Sequence, residues 1–215
     1  MTHSRQIFNI LVFLIIKITN IKLINGGKTK SVYTINMIVL SGASASGKTE
    51  VAKTLAKKFH ITKMITTTTR KMRVGEVNGK DYFFVSEEEF KKMLNENKFV
   101  ESTVYNNCYY GSSKDQIGDD KCVVIDPIGL KSYINLNNKK IVTFYLESEE
   151  NTRYERMLSR GDELEKAKNR IINDRVAFHP TNIPKVDFVI DSENQTVEQV
   201  ADEVYKLYQN KIKNL

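Results

Sequence analysis

The residues most able to do chemistry in this chain form one run, Gly42, Ala43, Ser44, Ala45, Ser46, Gly47, Lys48 and Thr49, which fits the pattern G-x-x-x-x-G-K-[ST]. Each defining type has a physical reason. The glycines let consecutive backbone N–H groups curl around an anion, and the following helix adds the positive end of its dipole. A lysine at position 48 reaches the β and γ phosphates of a nucleotide, and the Thr49 hydroxyl is placed to hold Mg²⁺. A run of this kind marks a phosphoryl donor site, ATP being the expected donor, and leaves the acceptor open.

Such a loop works only between a strand and a helix, and both are legible. Met37 to Leu40 (MIVL) is a short continuous apolar run of the kind shown by a strand buried on both faces. Val51, Ala52, Leu55, Ala56 and Phe59 then repeat at helical spacing. Further buried strands are expected at Cys122 to Asp126, Ile141 to Glu147 and around Phe188, with Asp126 at a carboxyl end, where ligand sites of open α/β sheets collect. Ser86 with Glu89, and Thr196 with Gln199, have capping-box spacing. The first opens a short helix with Phe90, Met93 and Leu94 on one face. The second opens a closing helix with Val197, Val200, Ala201, Val204 and Leu207 inward. The alternation implies an α/β fold, a mostly parallel sheet covered by helices on both faces.

A second constellation lies beside the first. The stretch TTTTRKMRVGEVNGKDYFFV (residues 66–85), the FVE of Phe99 to Glu101 and the NCYYGSS of Asn107 to Ser113 together resemble the nucleotide-acceptor lobe of guanylate kinases. The likeness extends over most of Met37 to Leu215. It implies a P-loop NTPase core with a small acceptor lobe at about residues 66–113 and a helical lid at about 156–180. It implies, too, an acceptor-phosphate cradle of Arg70, Arg73, Tyr82 and Tyr110. An acceptor monophosphate carries about two negative charges, which two arginines and two phenolic hydroxyls suit. For the base, the resemblance implies Glu101, helped by Asp126, against the N1–H and 2-amino group of guanine, and Thr66 with Ser112 against O6. Adenine lacks those donors and would leave carboxylate oxygens unpaired, so GMP is preferred over AMP, with dGMP accepted as well. In the lid, Arg156, Arg160 and Arg170 match family arginines that close over the phosphates. An open form is expected without ligands.

The chain departs from the family pattern in places. Val124 stands where an acid usually precedes Asp126, and Asp191 where the family has an asparagine near the adenine. Pro180 and Pro184 interrupt a segment that the family runs as helix. Asn78-Gly79 is a two-residue hairpin signal, and such a turn would place Tyr82.

Composition narrows the remaining classes. The chain has 215 residues, 40% hydrophobic and 27% charged, enough for a real core. Two cysteines and three histidines offer neither a disulfide framework nor a zinc site, which fits a reducing, cytoplasmic location. The net charge of +7 comes from lysines interleaved with glutamates, a solvated face rather than a nucleic-acid stripe. Residues 1–36 read as an extension before a domain at 37–215. Its apolar Ile7 to Ile16 is interrupted at Lys17 and Lys22, so no membrane association is expected unless residues 7–24 act as an anchor. A targeting segment, or upstream sequence with Met37 as the working start, are the other readings. The functional reading is an ATP- and Mg²⁺-dependent GMP kinase, monomeric or homodimeric. Two alternatives stand beside it, a non-catalytic guanylate-kinase-like module that holds a phosphopeptide or protein, and a P-loop kinase of another small phosphorylated acceptor.

Overall fold

The structure is a computed structural model that describes residues 22–25, 28–31, 35–105 and 107–215. Its centre is a five-stranded, all-parallel sheet, and it follows directly from the apolar runs. Number the strands β1 (Lys22–Asn25), β2 (Lys28–Ser31), β3 (Met37–Ser41), β4 (Thr62–Lys63), β5 (Thr67–Thr68), β6 (Phe83–Phe84), β7 (Phe99–Tyr105), β8 (Cys108–Ser113), β9 (Lys121–Val124), β10 (Ile141–Glu147) and β11 (Phe188–Asp191). The helices are α1 (Lys48–Phe59), α2 (Glu87–Asn95), α3 (Pro127–Ile134), α4 (Glu150–Ser159), α5 (Leu164–Ala177) and α6 (Val197–Lys213). The parallel sheet runs β11-β10-β3-β9-β4, so β3 and its phosphate loop are central.

Because side chains alternate along a strand, β3 feeds two cores. Ile38 and Leu40 pack with Val51, Ala52 and Leu55 of α1 and with Val200, Ala201, Val204 and Tyr208 of α6. Met37 and Val39 turn the other way, to Leu130 and Tyr133 of α3. The expected helical cover on both faces is therefore present. In the α6 stripe Val197 and Leu207 are half-buried and pack at the margin of the core, and the buried residue that follows Val204 is Tyr208. The Thr196 and Gln199 capping box is complete in both directions. At α2 only the Ser86 half forms, accepting from the Glu89 N–H, while Phe90 is buried and Leu94 is exposed.

A second sheet, β6-β5-β8-β7, builds the acceptor lobe. Here β5 pairs parallel with β6 and antiparallel with β8, which in turn pairs antiparallel with β7. Gly111 in β8 has no alternative, because a Cβ there would stand 2.7 Å from the Phe99 ring, which is stacked on Phe90.

Two expectations need correction. Asn78-Gly79 does not turn an antiparallel hairpin. The Lys80 and Asp81 N–H groups donate to the Val77 carbonyl, Asp81 accepts from the Val77 N–H, and Asn78 Oδ1 accepts from the Phe84 N–H. Short polar side chains satisfy the backbone locally and displace the ladder. The loop still delivers Tyr82. Nor is the arrangement open. The Tyr105 hydroxyl of the acceptor sheet donates to Asp174 of α5, and its ring meets Phe178 edge-on at 6.2 Å. That contact carries the lobe onto the lid.

The lid itself is α4 and α5, joined by a small core of Met157, Ala167 and Ile171. It ends at Ala177, and Pro180–Asn182 forms only a single 3₁₀ turn. On the amino-terminal side, β1 and β2 pair antiparallel inside the segment read as an extension. Ile35 is buried and its carbonyl accepts from Asn138 Nδ2, so the packed domain starts before Met37. The apolar stretch Ile7 to Ile16 and residues 7–21 of the anchor reading lie outside the described residues. Among the described residues, no helix is long and apolar enough to cross a membrane.

Thr196→Ala removes the side-chain acceptor at the start of α6 and should cost about 1 kcal/mol. Urea unfolding followed by circular dichroism should show a lower midpoint with an unchanged slope.

Candidate functional site

The phosphate loop is shaped by a glycine that nothing else can replace. Gly42 has φ 149°, and a Cβ there would lie 2.5 Å from the Leu146 carbonyl oxygen and 2.7 Å from Ser46 Oγ. The loop therefore presses against the carboxyl end of β10, the neighbour of β3, and leads through Gly47 into α1. Lys48 folds back over it, donating to the carbonyls of Gly42 and Ala43 at 2.6 Å each. Burial lowers its pKa to about 8, against the opposing pull of the Asp174 charge. A buried ammonium whose partners are two carbonyls and the Ser46 hydroxyl is a cation without a full countercharge.

Two cavities meet at this loop. The first, of about 160 Å³, is walled by the phosphate loop, the acceptor sheet and the lid. It is lined by Gly42, Ser44, Ala45, Lys48 and Thr49, by Thr66, Arg70, Arg73, Tyr82, Glu101 and Tyr110, by Asp126, and by Arg160 and Arg170. The second, of about 460 Å³, runs along the other side of the loop, lined by Ala45, Ser46, Gly47, Lys48 and Thr49 with Arg156, Arg160, Ser192, Gln195, Val197 and Val200. Ala45, Lys48, Thr49 and Arg160 border both, so the two cavities share a seam.

The first cavity is strongly cationic. Arg70 is held by Glu76 at 2.7 Å and lies over the Tyr82 ring, its guanidinium carbon 5.3 Å from the centroid. Glu76 also accepts from the Arg73 N–H, so one carboxylate shapes the loop and orients the first arginine. Arg73 has no such partner. Its Nε is buried without a hydrogen bond, and burial together with the charges of Arg170, Arg70 and Arg160 pulls its pKa down to about 10. The lid arginines share one acid. Asp162 accepts from Arg160 at 2.6 Å and from Arg170 at 2.8 Å, and those guanidinium groups hold its carboxyl below the usual range despite its burial.

Deeper in the first cavity the chemistry changes from cationic to acidic. Glu101 is buried in β7, and Ser112 Oγ of the paired strand donates to its Oε1 at 2.6 Å. Asp126 caps α3, accepting from the Gly129 N–H at 2.7 Å, and burial raises its carboxyl above the ordinary range. A planar ligand with adjacent N–H donors fits two such carboxylates.

Most of the residues singled out from the sequence meet at one or other cavity, and two, Ala43 and Ser112, line neither. Ala43 contributes its carbonyl to Lys48. Ser112 is wholly buried behind Glu101. Arg156 lines only the second cavity, tied to the carbonyls of Ala45 and Ser192 and to Ser148 Oγ. Asp191 spends its carboxylate on the Glu193 N–H and on Asn194 Nδ2. Sequence reasoning missed Arg153, Asp174, Glu76 and Tyr105. Glu76 was visible as an acid within the arginine run, whereas no local spacing pairs Arg153 with Asp174.

A family model described as Guanylate kinase matches residues 34–211. The chain is 38% identical over 157 residues to the guanylate kinase of Helicobacter pylori (strain ATCC 700392 / 26695), covering 64% of this chain and 71% of that protein. To the guanylate kinase of Caldanaerobacter subterraneus subsp. tengcongensis it is 33% identical over 174 residues, 76% of this chain and 84% of that one. Among solved structures, guanylate kinase from Anaplasma phagocytophilum superimposes with a TM-score of 0.60 at 24% identity, over 82% of this chain and 86% of the other, a likeness of fold. With the family model spanning nearly all of the packed domain, and a relative matched over most of its length, the chain belongs to the guanylate kinase family.

Proposed function

We propose that this protein transfers the γ-phosphoryl group of ATP to GMP, and to dGMP, giving ADP and GDP or dGDP. The observation that carries the reading is the pairing of a cationic cradle with a buried acidic pocket in one cavity, next to a phosphate loop. A phosphate belongs against Arg73, whose buried Nε is unpartnered, and a guanine edge against Glu101.

The proposed chemistry asks for positioning and charge more than for covalent work. The donor lies along the Lys48 side of the loop, its β-phosphate in the backbone N–H cradle, with Arg156 walling the donor cleft. Arg70, Arg73, Tyr82 and Tyr110 hold the acceptor phosphate so that one of its oxygens faces the γ-phosphorus. As that oxygen bonds and the ADP oxygen departs, negative charge spreads over the moving group, and Lys48, Arg160 and Arg170 are the cations placed to stabilise it. Glu101 and Asp126 accept from guanine N1–H and the 2-amino group. Ser112 acts through Glu101, donating to its Oε1, and Thr66 takes the O6 side.

The donor set fits Mg²⁺. Mg²⁺ prefers one or two protein oxygens with phosphate oxygens and waters, and Thr49, which carries a hydroxyl, lines both cavities. Among the described residues no cluster of three acids, histidines or cysteines offers a closed metal cage. Thr49 would hold the ion, which when bound would supply positive charge against the phosphates. With Val124 in place of an acid, its waters find no carboxylate from that position. The proposed place of action is the cytoplasm, where both nucleotides are available.

Lys48→Ala should lower turnover at least about 100-fold while GMP still binds, as read by a coupled ADP-release assay and by calorimetry. Near-normal turnover would remove Lys48 from the mechanism. Glu101→Gln should weaken GMP binding by about 2 kcal/mol and leave ATP binding unchanged, because it removes an acceptor from a desolvated pair. Equal loss for both nucleotides would make Glu101 structural.

Burial favours neutral Lys48 in the free site, whereas a bound phosphate favours the cation. Above the depressed pKa of about 8, nucleotide binding must therefore take up a proton, and affinity must fall as pH rises. Calorimetry at about pH 9 in buffers of different ionisation enthalpy should detect that uptake, and Lys48→Met should abolish it.

A further inference from the structure

One buried acid outside the nucleotide-contacting set is bound to three separate parts of the molecule. The Asp174 side chain is 0% exposed, and it is paired with Arg153 of α4 at 2.9 Å. Its Oδ2 also accepts from the main-chain N–H of Ser44 in the phosphate loop at 2.8 Å. Its Oδ1 accepts from the Ser44 hydroxyl at 3.2 Å and from the Tyr105 hydroxyl of β7. Arg153 completes the junction by donating to the carbonyls of Ser148 and, at 3.4 Å, of Ser44. Ser44 is thus held through its N–H, its hydroxyl and its carbonyl by one ion pair.

Stability alone does not account for such a pair. Taking both charges out of water costs several kcal/mol per ion, and apolar side chains of similar volume often serve a core as well or better. What the pair does provide is direction, because a carboxylate with four fixed donors dictates where each donor sits. Three of the four donors come from Ser44 of the phosphate loop, through its N–H and hydroxyl, and from Arg153 of α4. The fourth, Tyr105, belongs to the sheet that carries Glu101 on the same face two alternations earlier, at residues 101, 103 and 105.

We propose that Asp174 is a positioning residue for phosphoryl transfer, a latch through which docking of the acceptor sheet on the lid, via Tyr105, sets the phosphate loop at Ser44. The acceptor lobe carries the nucleophile and the loop carries the donor. A single carboxylate that bonds to both fixes the approach of one to the other. When the lobe swings away, Tyr105 leaves, and the carboxylate that holds Ser44 keeps three of its four donors. A reacting pair must be aligned to within about an ångström, so the latch acts on turnover rather than on either nucleotide's affinity.

The kinetic half of this proposal rests on the GMP-kinase reading, and the wild-type turnover on GMP tests that reading first. The variants are Tyr105→Phe, Asp174→Asn and the double substitution in the full chain, with Tyr105→Phe as the mild probe should Asp174→Asn leave Arg153 too poorly compensated to fold. Tyr105→Phe is expected to lower kcat about tenfold with the KM values for ATP and GMP changed less than about twofold. In the Asp174→Asn background the same substitution is expected to add nothing to the loss. Spin labels on the exposed positions Lys80 and Lys168 should report a lobe-to-lid distance that is broader and longer in Tyr105→Phe than in the wild type. An unchanged kcat in Tyr105→Phe, additive losses in the double variant, or identical distance distributions would each overturn the latch. Because the distances do not depend on which acceptor is phosphorylated, a protein inactive on GMP would sink the functional reading while the latch was still judged on its own.

Discussion

Five cations, Lys48, Arg70, Arg73, Arg160 and Arg170, face one cavity, and the rest of the structure is arranged so that they can be held there. Their mutual repulsion is visible in the depressed pKa of Arg73, to which three of the other arginines contribute. Nothing local would keep them together. Glu76 neutralises one end of the group and Asp162 the other, and both acids lie at its rim rather than inside it. The centre is left for an anion, and the fold sustains the strain of an uncompensated site through cores that lie elsewhere.

Those cores are what make the loop's position reliable. β3 is packed on both faces, by α1 and α6 on one side and α3 on the other, so its carboxyl end cannot shift without disturbing two hydrophobic clusters. Gly42 then lets the chain pass within van der Waals limits of Leu146, and α1 starts where the anion will sit. A rigid strand, a permissive glycine and a helix dipole together turn apolar packing into a phosphate site. The acceptor sheet has a different task. Its strands are short and mixed, its inner face carries Glu101 and Thr103 and its tip carries Tyr105, so a buried acid of the cavity and the contact with Asp174 are mounted on one element, β7.

The lid shows how similar residues acquire different duties through their surroundings. Arg156, Arg160 and Arg170 look alike in the sequence, yet Arg156 is fixed by two carbonyls and a hydroxyl on the donor wall, whereas Arg160 and Arg170 share Asp162 at the acceptor cavity. Arg153, three residues before Arg156, turns inward to Asp174 and never reaches a nucleotide cavity. Positions 153, 156 and 160 are spaced three and four apart, on one face of α4 and its cap, so it is their partners and not helical phase that separate these roles.

The sequence by itself determined the local and periodic features. The phosphate loop, the doubly buried strands, the complete cap at Thr196 and the acceptor motif were all legible, because each is specified by residue types at short, regular spacing. The loop at Asn78 was misread as a hairpin, since turn propensity says nothing of the side-chain hydrogen bonds that outcompete a strand ladder there. Packing alone decided that Asp174 meets the phosphate loop, α4 and the end of β7. Ser44 and Asp174 are separated by 130 residues, and Tyr105 and Asp174 by 69. Contacts of that range depend on how the lobe and the lid pack on the central sheet, and no periodicity in the chain encodes them.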